Sequence, residues 1–457
     1  MWKVGRWPRV LLASATLALF GTGGGRRAVV AAPEAPLEER VEAAVAKGGD
    51  FLERWLAGPE GMADGRGLPP RFDEVMLGAL AYLHARDGKD APLAARLHAY
   101  VSKWWRPTAQ TYGVSLALLF RAACLEQARR GEAEGWPAAH LRQRRWPDAP
   151  RELREMATWL RDARYRDGLW TYPPGGPGGG GDVSNSQFAA LALLAAQPHG
   201  VELPADALPR LATALEATAA PPEPEAPGAT FTLARPSARP GRPVTAEQDG
   251  TLRFPAGVRA TPFAYAPGGG AANSSMSTTL GATITALYGL AVARARPTSD
   301  GASADVRRFE TLVARGLAFV ATHLRVDRNP TLVPAGSEDR RNLRPSSPGF
   351  VADDRCALHA LYTLLASERC LTLAGVETVN GVDWHRQGTL HLLAHQDADG
   401  AWRLTEGPLS SAKPVGATPP IDTAFAVLFL RRATRRVLDG APPVVWSPPR
   451  AAPTTDR

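Results

Sequence analysis

The sequence predicts an all-α fold, an (α/α)6 toroid in which six inner helices are ringed by six outer ones, and three observations carry that expectation. Twelve helical segments can be read along the 457 residues, alternate segments are apolar over most of their circumference, and a Gly- and Trp-containing turn recurs between segments. A helix apolar on nearly all sides has to be covered on nearly all sides, which places the alternate set inside. The composition, 44% hydrophobic and 21% charged, is that of a globular protein and excludes disorder of the whole chain.

Taken in order, the segments alternate. Leu37–Ala57 carries charges on one face and reads as outer, while Phe72–Arg86 contains VMLGALAYL and reads as inner. The outer Pro92–Trp105 is followed by the inner Thr111–Arg129 with VSLALLF, and the outer Pro150–Arg164 by the inner Ser184–Ala196 with FAALALLAA. Pro204–Ala219 and Ser275–Ala295 repeat apolar residues every three or four positions, the period of a helix face. Asp305–Leu324, Asp353–Leu373, Trp384–Gln396 and Asp422–Val437 complete the series, the second and fourth of these being inner. Pro221–Gly270 is rich in Pro and Gly and reads as an excursion whose runs ATFTL and TLRF could pair as a small hairpin. The glycine tract from Gly175 to Gly181 lacks the Lys and Ser/Thr of a phosphate loop, and Pro442–Arg457 reads as a loose tail.

The recurrent turn is clearest at AHQDADGAW, where Gln396, Gly400 and Trp402 form QxxxGxW; Asp167, Gly168 and Trp170 repeat its core. The spacing describes a helix ending in a polar glycine turn, an indole packed over that turn, and a capped Ala/Leu helix beginning after it. Trp55, Trp170 and Trp402 are expected to fasten turns after outer helices.

These units, with DVSNSQFAALALLAA and DTAFAVLFL, resemble the repeats of the squalene cyclase and protein prenyltransferase superfamily, in particular its exported bacterial members of unknown activity; the resemblance spans about Leu37 to Val437. It implies the double-ring fold. The cyclases of that superfamily use a DxDD acid to protonate an alkene, and here Val351-Ala352-Asp353-Asp354 lacks the first aspartate. The prenyltransferases hold zinc through DxC and a later histidine. Asp354, Arg355 and Cys356 reproduce DxC, but the position three residues after Asp422 is Phe425 rather than histidine. His359 could substitute as a third zinc ligand, although a Cys and a His on an Ala/Leu helix are more often core residues. No cofactor is therefore expected, with Asp354, Cys356 and His359 as the weak metal candidates.

Asp353, Asp354 and Asp422 are the weak catalytic candidates, since (α/α)6 barrels also host sugar-cleaving carboxylate pairs; adjacent carboxylates on a helix point about 100° apart, however, and capping explains them more simply. His391 and His395 have zinc-compatible spacing but sit on an outer helix with no evident third ligand. None of the three cysteines lies in a thioester context, and Cys124, Cys356 and Cys370 allow at most one disulfide.

If the alternation holds, all six inner helices run parallel and their N-termini share one mouth. That mouth would carry Asp73, Thr111, Ser184, Asn185, Ser275, Ser277, Asp353, Asp354 and Asp422, with helix dipoles favouring negative charge there. Phe188, Tyr288, Tyr362 and Phe425 would line or plug the space beneath, and Asp182, Gln187 and Arg355 would add polar contacts.

Lys3, Arg6 and Arg9 before the apolar run Val10–Phe20, followed by small residues at 31 and 32, read as a secretory signal covering residues 1–32. Its removal deletes five basic residues and no acid, taking the formal charge from +8 to +3. The remaining arginines are scattered among acids, which is not a nucleic-acid footprint. Residues 33–441 are expected to form one exported domain, periplasmic or extracellular and without a further membrane span. It would bind an unidentified ligand or protein partner at the mouth. An enzyme acting on an isoprenoid, another lipid or a glycan is the alternative.

Overall fold

The computed structural model describes residues 35–59, 61–62, 71–87, 90–172, 180–220, 230–233, 251–253, 260–269, 274–297, 299–330, 360–403 and 418–437. The expected signal at 1–32, the tail from 442, and Asp353, Asp354, Arg355, Cys356 and His359 lie outside those residues. The described chain is mostly helical. In chain order its helices are α1 (Leu37–Ala57), α2 (Phe72–Ala85), α3 (Ala94–Trp104), α4 (Thr111–Ala133), α5 (Ala138–Arg144), α6 (Ala149–Asp162), α7 (Val183–Ala196), α8 (Leu208–Thr218), α9 (Met276–Ala295), α10 (Asp300–His323), α11 (Ala360–Leu373), α12 (Trp384–Ala394), α13 (Pro419–Leu430) and α14 (Ala433–Val437).

Burial separates two classes of helix, as the apolar pattern predicts. In α7 every residue except Ser184 is buried, and α2 is buried from Val75 to its end. By contrast α6 buries one stripe, Leu153, Met156, Ala157 and Leu160, and exposes arginines on the other side. Each buried Leu or Phe stabilises the fold by roughly 1.5–3 kcal/mol, so the inner helices are held by packing rather than by propensity. Helix α2 packs on α4, α4 on α7, α7 on α9, α9 on α11, α11 on α13, and α13 again on α2. Outside them α1 lies on α2 and α13, α6 on α4 and α7, α8 and α10 on α9, and α12 on α1 and α13. Helix α9 is apolar and long enough to cross a membrane, but it is covered by this chain's own helices.

The two glycine turns have the same construction. Trp170 donates its indole N–H to the Leu160 carbonyl at 2.7 Å and its backbone N–H to Ser186 Oγ at 3.0 Å. Trp402 does the same with the Leu392 carbonyl at 2.9 Å and Thr423 Oγ1 at 3.1 Å. Gly168 and Gly400 have φ of +96° and +93°, and a Cβ on Gly400 would stand 2.3 Å from the Lys47 carbonyl oxygen, so glycine is required twice over. Each turn therefore bolts the end of an outer helix to the first turn of the next inner one. Trp55 differs from the expectation: it lies within the last turn of α1, with its ring over Gly78 of α2.

Several elements depart from the sequence reading. The excursion's two runs do pair, as β1 (Thr230–Leu233) with β2 (Thr251–Arg253), but β3 (Val376–Val379) and β4 (Val382–Asp383) extend them into an antiparallel sheet ordered β2-β1-β3-β4. The β3–β4 link is Asn380-Gly381, both at positive φ, the hairpin chemistry that two-residue turns demand. Helix α5 was not expected. The last predicted helix is two, because Arg432 takes φ +47° and breaks it. The resulting α14 packs across α11, α13 and α4.

Candidate functional site

Side chains near the first described residues of the inner helices meet. The Tyr112 hydroxyl of α4 bonds Ser184 Oγ of α7, and Ser184 Oγ in turn bonds the Tyr362 hydroxyl of α11. Gln187 Nε2, one turn further along α7, also donates to the Tyr362 hydroxyl. Phe425 of α13 meets the Tyr362 ring edge-on with centroids 5.8 Å apart, and Phe188 lies against Tyr112 at 4.8 Å and Tyr362 at 6.5 Å. Four helices thus supply one floor of hydroxyls and rings. It is also where the inner helices are open: near their N-termini Asp73, Tyr112, Ser184, Thr278, Tyr362 and Phe425 are half-buried positions in otherwise buried runs.

The rim is aromatic. Tyr172 follows the Trp170 turn and Tyr265 is delivered by the excursion, whose carbonyl at Tyr265 accepts the Val183 N–H at 2.9 Å. Both rings are exposed, at 44% and 37%. Tyr172 sits 5.4 Å from the Tyr112 ring, and the Tyr265 hydroxyl is close enough to Tyr172 and Asp182 to pull the pKa of each downward. Burial raises the phenol pKa of Tyr112, Tyr172, Tyr265 and Tyr362, so all four remain neutral donors near pH 7. At Tyr362 the next influence, its bond to Ser184, and the nearby Arg369 charge pull the other way without reversing the shift.

Beneath the floor stands Arg369, about two turns further along α11 than Tyr362. It is 3% exposed, and its guanidinium lies 4.1 Å over the Phe188 ring. Burial lowers its pKa to about 10, which leaves it protonated at neutral pH. The groups whose charge acts on it are Tyr362, Glu368 and Tyr112, and among the described residues no hydrogen-bond acceptor holds it.

The other expected site residues are distributed as follows. Asp182, not Ser184, caps α7: it accepts from the Asn185 backbone N–H at 2.7 Å and from Asn185 Nδ2 at 2.8 Å. Burial raises its pKa, against the pull of those same bonds. Ser275 caps α9 in a capping box with Thr278, and Ser277 bonds Asn329 and Ser275. Thr111 bonds the Thr171 carbonyl rather than capping α4, and Asp422 is buried in the first turn of α13. Asp73 is half-buried near the Tyr172 hydroxyl, whose pKa it helps to raise. Tyr288 turns outward instead of lining the floor, its ring edge-on to Trp170 at 6.3 Å. His391 and His395, at the end of α12, have tilted rings with centroids 4.5 Å apart, with His395 Nδ1 bonded to the His391 carbonyl. Among the described residues no three His, Cys, Asp or Glu converge as metal ligands.

Sequence reasoning missed Tyr112, Tyr172, Tyr265 and Arg369. For Arg369 there was a signal, the charged pair Glu368-Arg369 inside the apolar run LYTLLASERCLTL. A charge in such a run has a specific task or partner.

The opposite end of the inner helices is closed. Helix α14 places Thr434 Oγ1 2.6 Å from Glu368, while Arg130 and Arg436 both pair with Asp87. A small pocket there is lined by His84, Gln127, Arg130 and Arg436. Burial, then the neighbouring Arg431, lowers the His84 pKa to about 3, so this end holds a neutral imidazole among arginines. No protein-family model, curated protein or solved structure matches the chain.

Proposed function

We propose that the described helices close into an (α/α)6 toroid and that the chain is an exported binding protein. It holds a ligand or partner segment at the mouth formed by the inner-helix N-termini, without standard cyclase or prenyltransferase catalysis. The return of α13 to α2 and the equivalence of the two tryptophan turns support the double ring, as does the sequence resemblance of those turns to terpenoid-cyclase-type repeats. The observation that carries the binding reading is the convergence of the Tyr112, Ser184 and Tyr362 hydroxyls, with Gln187, from three inner helices at a half-open point in a buried set. Binding sites are typically concave, apolar-lined and equipped with a few converging polar groups. Neutral phenols supply donors rather than general bases, which suits holding more than turnover.

Native mass spectrometry of the full chain purified from its source cells tests this. The expected result is a non-covalently held small molecule or peptide that is absent from a Ser184→Trp variant, in which an indole fills the mouth. A molecule retained by that variant, or none in the parent protein, would overturn the reading.

A further inference from the structure

We propose that Arg369 makes the mouth an anion site, and that its ligand carries a single carboxylate on a flat apolar body. The proposal rests on the mouth reading and narrows it to a ligand class. A guanidinium taken out of water is costly unless a partner compensates it, and buried arginines are ordinarily paired. Arg369 is buried, protonated and without an acceptor among the described residues, while its immediate neighbour Glu368 is directed to Thr434 and Thr372. The guanidinium face is occupied by Phe188, and stacking of that kind leaves the in-plane N–H groups free for a planar, bidentate acceptor.

What stands around it fits an organic monoanion. After burial, the groups that act most on Arg369 are Tyr362, then Glu368, whose carboxyl burial pushes up to about 7, then Tyr112; the two tyrosines are neutral O–H donors. No second cation acts on Arg369, on Tyr112 or on Tyr362 among the described residues, so the positive charge offered is one guanidinium. That matches one carboxylate better than a diphosphate. The rings of Tyr172, Tyr265 and Phe425, partly open to solvent, give a flat apolar body something to lie against.

The test uses the fluorescence of 1-naphthoate and its neutral isostere 1-naphthamide titrated into the full chain, with sodium acetate as the bare anion. Naphthoate is expected to bind saturably and at least tenfold more tightly than naphthamide, and acetate weakly. Arg369→Met should reduce the naphthoate preference to about unity while leaving naphthamide binding intact, and Arg369→Lys should restore part of it. Should Arg369→Met fail to fold, Tyr362→Phe supplies the readout: a several-fold loss for naphthoate with little change for naphthamide. A preference that survives Arg369→Met, while Ser184→Trp still abolishes binding, would overturn the role of Arg369 and leave the mouth standing. Binding of neither probe would overturn the ligand class. Binding of both that ignores Ser184→Trp would overturn the mouth itself.

Discussion

Two buried arginines sit in comparable apolar surroundings and are treated in opposite ways. Arg121 of α4 is 0% exposed and held on several sides: it pairs with Glu152 of α6, bonds His98 Nδ1, and donates to the His98 carbonyl at 3.0 Å and Ser102 Oγ at 2.8 Å. His98 is itself stacked on Trp146 at 5.3 Å. Arg369 of α11 has the face of Phe188 and no acceptor among the described residues. The first is a charge-paired network joining α3, α4 and α6. The second is a buried charge with hydrogen-bonding capacity to spare among the described residues, set between the hydroxyl floor and the closed end that holds its neighbour Glu368. Local inconsistencies of this kind concentrate where a protein acts rather than where it is merely held together.

The contrast predicts opposite effects for the same substitution. Arg121→Met leaves the Glu152 carboxylate buried without its counter-charge and should lower stability by about 3–5 kcal/mol, read from the urea midpoint. A loss below about 1 kcal/mol would mean that the cluster does not do what its geometry implies.

Glu368 sharpens the picture at the closed end. Burial pushes its carboxyl up to about 7, against the bond from Thr434 and the charges of Arg369 and Arg432. A folded-state pKa raised above the unfolded value of about 4.5 means that the folded chain prefers the protonated form. The resulting stability is present at low pH and is lost as pH rises through about 7. Stability should therefore fall by up to about 3 kcal/mol between pH 4.5 and 7 and level off above. Glu368→Gln should remove that slope in urea titrations at pH 5 and pH 8, whereas an unchanged slope would assign it to another group.

Arg369→Met should change stability in the opposite direction from Arg121→Met. The methionine stem fills similar space and abolishes a buried charge, and replacing buried ions by apolar residues is often neutral or stabilising. Against that gain stands the lost cation–π contact, worth about 1 kcal/mol. The expected net is a gain of roughly 1 kcal/mol, seen as a small rise in Tm. A loss as large as that of Arg121→Met would show that the two arginines are alike and end the comparison.

The helical alternation was readable because burial leaves a strong mark on composition: FAALALLAA and VMLGALAYL carry almost no polar residue, and α7 and α2 are buried accordingly. The tryptophan turns were readable because a φ near +95° with a carbonyl 2.3 Å from where a Cβ would be tolerates only glycine. The site was harder. Tyr112, Tyr172 and Tyr265 lie on α4, a turn and the excursion, and they come together only through the packing of those elements. Asp182 displaced Ser184 as the cap of α7, which freed the serine hydroxyl for Tyr112 and Tyr362. Capping rules name the residue types, but a one- or two-residue shift in a helix start decides which side chain is used up locally and which is left over. The β3–β4 hairpin carried its Asn-Gly signal in plain view, yet two strands of four and two residues are too short to show a period.

The smallest expected stability effect falls at the mouth and tests whether its hydroxyls are there for the fold. Tyr362→Phe removes the oxygen that Ser184 and Gln187 share while keeping the ring against Phe188 and Phe425. Were those bonds structural, their buried partners would be orphaned at about 1–3 kcal/mol. But Ser184 is half-buried, keeps Tyr112 as a partner and can turn to water, and only the amide of buried Gln187 loses its bond, so the loss should stay near the lower end of that range, about 1 kcal/mol in urea unfolding. A larger loss would make the hydroxyl cluster a brace of the same kind as Arg121 and Glu152. A small one leaves three donors that folding does not need, at the place where the inner helices open.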